Sequence, residues 1–140
     1  MIRVLNIISD TNIGGAGRVI LNYLRYTDKS KFETMVAIPK GSLLKQPLEE
    51  LGVTIYEVDG LADRSFHKDD VKTLRELIKT VKPDLVHTHG ALSGRIAARF
   101  SGVPVGIPGV FYPCSSVALP RALQARKPLT LLIFWKHSEW

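Results

Sequence analysis

The residue types that suggest chemistry lie in two short segments, of which the first is rich in glycine. Gly14, Gly15 and Gly17 fall between an apolar run that ends at Ile8 and a helical pattern that begins at Val19. The apolar run is typical of a buried strand, and glycines let the chain turn sharply at positive φ. The first amides of the following helix lack internal partners and carry the positive end of its dipole. The segment therefore predicts a site for a phosphate or carboxylate, or alternatively a plain strand-to-helix turn.

This glycine segment does not match two familiar nucleotide-binding loops. A Walker loop ends in Gly-Lys followed by Ser or Thr, and the chain contains no such run at the required spacing. A dinucleotide fingerprint needs a glycine three residues after Gly17, where Ile20 stands. The next strand pattern ends at Pro39-Lys40, without an acidic residue to hold a ribose. NAD binding is therefore not predicted.

The second segment holds His87 and His89, two residues apart at the end of a predicted strand. If the strand continues through His89, both side chains lie on one face and Thr88 on the other. Zinc requires three or four protein ligands, and the candidate third ligand at this edge is Asp10 from a different strand. A metal site is therefore not expected. The pair is interpreted either as hydrogen-bonding groups for a polar ligand, or as packing under the next helix with His89 capping it.

Alternating strand and helix patterns are expected to position both segments. Ser42 is predicted to cap the second helix, Gly52 to end it, and Pro83 to end the third. The predicted strands lie at residues 4–8, 32–38, 53–58, 85–87 and 103–107, and helical patterns fill the intervals. Without a hairpin signal, this alternation predicts the α/β class: a Rossmann-like parallel sheet with helices on both faces.

Ligands in such sheets bind beyond the carboxyl ends of the strands. Asp10 and residues 14–17, 39–40 and 87–90 are predicted to gather there. We expect one domain over residues 1–107, because the periodicity fails beyond Ile107. Residues 108–140 are interpreted as an irregular tail, whose apolar residues 131–135 predict self-association.

The net charge of +6 is uneven, since residues 105–140 carry four basic residues against the single acid Glu139. The basic residues look dispersed and are not interleaved with stacking aromatics, so nucleic acid is not an expected partner. Peripheral contact with an anionic membrane surface stays open. The lone Cys114 cannot form an internal disulfide, and no leader pattern precedes the first strand. A cytoplasmic location is expected.

Residues 7–19 and the run Lys82-Pro83-Asp84-Leu85-Val86-His87-Thr88-His89-Gly90 together resemble the amino-terminal domain of glycosyltransferase family 4. The helical pattern over residues 91–99 also fits, and the resemblance covers about residues 1–107. It implies the amino-terminal half of a GT-B fold, in which two Rossmann-like domains face each other across a cleft. The first domain shapes the acceptor side, and the second binds a nucleotide sugar.

The resemblance also implies roles for particular residues, although it identifies no catalytic residue. The donor phosphate or the acceptor would be bound by Gly14, Gly15, Ala16, Gly17 and Arg18. The cleft would be lined by Asp10, His87, His89, Gly90 and Ser93. Members of the family are usually retaining enzymes without a metal or cofactor, so the expected partners are a nucleotide sugar and a glycosyl acceptor.

The chain departs from the family pattern at Gly17, where many members carry Glu, and at Pro108-Gly109, where relatives continue with Tyr-Thr-Arg-His. The printed sequence also ends before a second domain would begin. We therefore expect the acceptor-side domain of a glycosyltransferase that is truncated, frameshifted or split, and inactive by itself. The alternative is a non-catalytic Rossmann-like module that binds an anion or a partner protein.

Overall fold

A computed structural model of the chain describes residues 1–63 and 66–106. Five parallel strands form one sheet in the order β3-β2-β1-β4-β5. The strands are β1 (Ile2–Ile8), β2 (Phe32–Pro39), β3 (Thr54–Val58), β4 (Leu85–His89) and β5 (Val105–Gly106). The helices are α1 (Gly15–Tyr26), α2 (Lys45–Glu50), α3 (Lys68–Val81) and α4 (Leu92–Phe100).

Helices cover both faces of this sheet because the central strand β1 is apolar on both sides. Leu5 and Ile7 pack in one buried cluster with residues of α3 and α4, while Ile8 packs in a second cluster with residues of α1 and α2. Successive side chains of a strand point to opposite faces, which accounts for this division. The predicted α/β class, with its parallel sheet and its helices on both faces, is confirmed.

Most predicted elements occur with small changes at their ends, and one cap prediction is wrong. The second helix begins at Lys45, and its N-cap is Leu44 instead of Ser42. The Ser42 hydroxyl lies 3.3 Å from both the Leu44 amide and the Asp10 carbonyl oxygen, so it holds a turn before the helix. Gly52 follows this helix with φ of +67°, as a helix-ending glycine should.

Strand β4 extends to His89, two residues beyond its predicted end, which places both histidines within the sheet. Among the described residues, no helix is long and apolar enough to cross a membrane. The predicted tail at 108–140, with Cys114, lies outside the described residues, and so does the boundary proposed at 107.

Candidate functional site

The loop between β1 and α1 lies at the middle of the carboxyl edge, the edge of the sheet where the parallel strands end. The Thr11 carbonyl oxygen accepts a hydrogen bond from the Leu43 amide at 2.9 Å, which attaches the loop after β2. The Thr11 amide and hydroxyl donate to the two carboxylate oxygens of Asp63, at 2.9 and 2.5 Å. The Asp63 amide in turn donates to the Ser9 carbonyl oxygen at 2.8 Å. Three loops are therefore joined through Thr11.

Asp63 is a positioning residue that the sequence analysis missed. Its φ of 48° lies in the left-handed region, which Asp and Asn adopt more readily than most residues. The hydrogen bonds from the Thr11 hydroxyl and amide lower the pKa of the Asp63 carboxyl. The carboxylate form therefore holds the loop after β3 against the loop after β1.

The loop after β4 reaches the same edge through Gly90. This residue has φ of +74°, and a Cβ atom there would lie 3.6 Å from the Ser9 hydroxyl oxygen. The Ser93 hydroxyl is fully buried and accepts from the His67 amide at 3.0 Å, while its contact with the His67 carbonyl oxygen is 3.3 Å. Ser93 therefore attaches α4 to the residue that caps α3, since His67 Nδ1 accepts from the Asp69 amide at 3.3 Å.

The predicted glycine loop is the first turn of a helix. Gly14 is the N-cap of α1, and the helix begins at Gly15. The Arg18 amide is the first to donate a hydrogen bond within the helix, to the Gly14 carbonyl oxygen at 3.1 Å. Among the described residues no side chain caps this terminus. The amides of Gly15, Ala16 and Gly17 are thus donors without an internal partner, as helix geometry requires.

The glycines of this segment do not form the sharp turn at positive φ that the sequence analysis expected. Gly14 has φ of −84°, and neither Gly15 nor Gly17 has positive φ, so the predicted turn at positive φ is wrong. A Cβ atom at Gly17 would lie 3.1 Å from Leu44 Cδ2, so this glycine permits close packing under α1. A Cβ atom at Gly15 would meet nothing within 4 Å. The space in front of Gly15 is open.

Asp10 adds a negative group to this terminus. A Cβ atom at Gly14 would lie 3.9 Å from Asp10 Oδ2, so the Asp10 carboxylate lies beside the N-cap. The side chain of Arg18, in the first turn of the helix, is exposed. A carboxylate accepts hydrogen bonds from hydroxyl groups, whereas free amides and Arg18 favour anions. The combination suits a ligand that carries hydroxyl groups together with a phosphate.

His87 and His89 lie on one face of β4, as predicted, and both are buried. Their ring centroids are 4.4 Å apart, and the Tyr23 ring of α1 stands edge-on to His87 at 6.4 Å. Burial lowers the pKa of His87 to about 4; burial, and secondarily the charge of His87, lowers the pKa of His89 to about 3. Both rings are therefore neutral at pH 7, and each can donate one hydrogen bond and accept another.

The carboxyl edge thus brings together Asp10, the first turn of α1 and Gly90, while His87, His89 and Ser93 are held inside the fold. Within the described ranges, no three or more His, Cys, Asp or Glu side chains are placed to hold a metal ion together. His89 Nε2 has no hydrogen-bond partner among the described residues. His89 is the last residue of β4.

A sequence model of glycosyltransferase family 4 matches residues 13–135. The match spans most of the chain and includes both segments that carry the candidate site. The chain belongs to glycosyltransferase family 4. A search of the curated proteins found no match.

Solved structures similar to the chain include GT-B glycosyltransferases and sugar epimerases. MurG of Acinetobacter baumannii has 17% identity and a TM-score of 0.60, with 90% of this chain and 39% of that chain covered. A glycosyltransferase of Rickettsia africae has 18% identity, a TM-score of 0.62, and coverage of 82% and 32%. The UDP-GlcNAc 2-epimerase of Neisseria meningitidis, solved with UDP-GlcNAc, has 17% identity, a TM-score of 0.56, and coverage of 94% and 38%.

These likenesses show that the fold is that of a GT-B amino-terminal domain. The chain spans 39% of the length of MurG and 32% of the length of the Rickettsia glycosyltransferase.

Proposed function

We propose that the chain is the acceptor-side domain of a glycosyltransferase, which moves a sugar from a nucleotide-sugar donor to an acceptor. The observation that carries the proposal is the open amino terminus of α1, with its free amides beside Asp10, in a chain of glycosyltransferase family 4. The Neisseria epimerase, a structural neighbour, was solved with a nucleotide sugar bound. This supports a nucleotide sugar as the class of donor.

In the proposed reaction, the bond between the anomeric carbon and the diphosphate oxygen breaks, and the acceptor oxygen bonds to that carbon and loses its proton. The amides of Gly15, Ala16 and Gly17 would donate to the diphosphate or to an acceptor oxygen, and Arg18 would add positive charge. Asp10 would accept a hydrogen bond from a sugar hydroxyl, and Gly90, which follows the buried His89, would line the cleft. We further propose that no metal or organic cofactor takes part. Sugar transfer by a complete enzyme that contains this domain, in the presence of EDTA and without any added cofactor, would test this.

The second candidate function is a non-catalytic module that binds an anion or a partner protein. Backbone amides at a helix terminus are sufficient to hold an anion without any chemistry. The amides of Gly15, Ala16 and Gly17, which have no partner within the helix, are the observation that favours this alternative. Sugar transfer by a complete enzyme that contains this domain would contradict the non-catalytic alternative.

We predict that the 140-residue chain, produced alone, has no sugar-transfer activity. The reaction requires the leaving diphosphate and the reacting carbon to be held in line, and in the proposed enzyme a second domain supplies those contacts. A radioactive or mass-spectrometric transfer assay with a panel of UDP- and GDP-sugars would measure it. Detectable turnover by the chain, free of other proteins, would contradict the prediction.

We also predict that Gly15→Val abolishes measurable UDP binding while the fold is kept. The valine side chain would fill the open space before the free amides, and since Gly15 has ordinary φ and no neighbour within 4 Å, the backbone is not strained. Asn22→Val, at an exposed position of the same helix, is the matched control and should bind UDP as the unaltered chain does. Equal affinity of the Gly15 variant by titration calorimetry would show that the terminus is only a turn.

A further inference from the structure

Large apolar side chains are exposed in three loops at the carboxyl edge of the sheet. Ile13 lies in the loop after β1, Leu43 in the loop after β2, and Phe66 in the loop after β3. Their exposed fractions are 37%, 61% and 53%. We call these three residues the apolar rim. Large apolar side chains that are grouped at one edge and left in water are typical of a ligand or partner site.

The first two loops of the apolar rim are joined through their backbones. The Leu43 amide donates to the Thr11 carbonyl oxygen at 2.9 Å, and Ile13 follows Thr11 by two residues. The hydroxyl of Ser42, the residue before Leu43, lies 3.4 Å from the same carbonyl oxygen. The core does not require Leu43, because the next residue, Leu44, is fully buried and packs there. Leu43 therefore stays at the surface without serving the core.

The third loop reaches the same place from the outermost strand of the sheet, β3. Asp63 accepts two hydrogen bonds from Thr11, and the His67 amide donates to the Ser93 hydroxyl at 3.0 Å. Phe66 lies in the chain between these two attachments, directly before His67. The loop therefore extends from the end of β1 to the first turn of α4, and it carries Phe66 towards the middle of the carboxyl edge.

The apolar rim is continuous with the polar groups of the candidate site. Ile13 stands in the chain between Asp10, whose carboxylate lies beside the N-cap of α1, and Gly15, whose amide has no partner within the helix. A ligand bound there would meet polar groups and apolar side chains together. Sites for small molecules commonly have this composition, with a few polar groups among apolar ones. An amphiphilic ligand fits it better than a free sugar, which has no large apolar surface.

We propose that the acceptor carries a large apolar group beside the hydroxyl that receives the sugar, and that the apolar rim binds this group. The inference rests on the proposed glycosyl transfer and names the class of acceptor, an alkyl or aryl glycoside or alcohol. Burial of the apolar group removes the apolar surface of both partners from water, which favours binding in proportion to the area. The Asp10 carboxylate can accept a hydrogen bond from the polar end of the same molecule.

The test is titration of the 140-residue chain with paired methyl and octyl β-glycosides of glucose and of N-acetylglucosamine. The octyl compounds are kept below their micelle concentration, so that single molecules bind. Each methylene removed from water favours binding about fourfold, so burial of two or three of them should make the octyl member of a pair bind about thirtyfold more tightly than the methyl member. Equal affinities within every pair would overturn the proposal.

Two double variants separate the apolar rim from other exposed apolar residues. Leu43→Ser, Phe66→Ser should weaken binding of the octyl compound about tenfold and keep the affinity for UDP within about threefold. Tyr26→Ser, Phe100→Ser is the matched control, since it removes exposed aromatic rings at the opposite edge, where α1 and α4 end, and should bind the octyl compound as the unaltered chain does. Circular dichroism would verify that both variants are folded. Unchanged octyl binding by the first variant would overturn the proposal.

Vesicles separate the two sources of such an apolar group. Co-sedimentation of the chain with phosphatidylcholine vesicles only when they contain a glucosyl diacylglycerol, together with binding of the octyl compounds, would indicate a lipid-anchored acceptor. Binding of the octyl compounds without co-sedimentation would indicate a soluble acceptor, and either result supports the proposal. Binding to plain vesicles, with none to the dissolved octyl compounds, would overturn it. Failure of the unaltered chain to bind UDP would contradict the proposed donor contacts, and the comparison of methyl with octyl compounds would still decide the role of the apolar rim.

Discussion

Lowering the pH from about 6.5 to about 5 should reduce the free energy of unfolding by about 3 kcal/mol, roughly half from each of the buried histidines. Burial lowers the pKa of His87 to about 4 and that of His89 to about 3, whereas in the unfolded chain both titrate near 6.5. Below 6.5 the unfolded state therefore binds more protons than the folded state. The stabilisation that comes from burying the two neutral rings is fully present above pH 6.5 and is lost as the pH falls below that value.

Carboxylates should contribute little to this change. The lowered pKa values of Asp28, Asp63 and Glu76 stabilise the fold above the ordinary range of these groups, and that contribution is lost only as the pH falls through 4.5 and below. The change in the free energy of unfolding between pH 6.5 and pH 5 therefore reports on the histidines and not on the carboxylates. Tyr23, which contacts His87, has its pKa raised by burial and stays protonated throughout.

Urea unfolding at several pH values would measure the effect. The double variant His87→Gln, His89→Gln should show a nearly flat profile over this interval, because glutamine does not titrate. His67→Gln is the matched control: it removes a half-exposed histidine, so the slope with pH should persist even if the loss of the cap lowers stability overall. A flat profile for the unaltered chain would mean that the two rings are not buried as described.

Gly94→Val is expected to reduce the free energy of unfolding by about 3 kcal/mol. A Cβ atom at Gly94 would lie 3.2 Å from two carbons of Ile7 and 3.2 Å from Thr88 Cγ2, so α4 rests almost directly on β1 and β4. Any side chain would have to push the helix away from two central strands, and a close-packed interior does not yield cheaply.

Gly15→Val provides the matched comparison for this stability measurement, since the same change is made in a helix where no atom lies within 4 Å. Urea unfolding of both variants at neutral pH should show a large loss for Gly94→Val and a loss below about 1 kcal/mol for Gly15→Val. Similar stabilities for the two variants would contradict the close contact of α4 with the sheet.

The periodic parts of the fold could be predicted from the sequence because they follow from local spacing. Apolar runs indicated the strands, and the two-residue spacing of His87 and His89 indicated their common face, which the structure confirms. The glycines after β1 were misinterpreted, since Gly17 is required by its approach to Leu44 and not by a turn. Such a contact between separate elements leaves no local signal.

The links among the loops could not be predicted for a similar reason. Thr11 and Asp63 are 52 positions apart, and neither differs in type from many other polar loop residues. The basic residues of α3 were visible in the sequence but looked dispersed, because a count along the chain ignores the helical turn that brings them to one face.

The hydrogen bonds of Asp63 to Thr11 and Ser9 also affect how this edge of the sheet can change in evolution. The loops after β1 and β3 form one unit, so a new loop after β3 that lacks an acceptor at position 63 would leave the Thr11 amide and hydroxyl without their partner. Exchange of residues 59–63 together with residues 9–17 would transfer both halves of the junction intact. Where relatives differ in ligand preference at this edge, we therefore expect the loops after β1 and β3 to differ together.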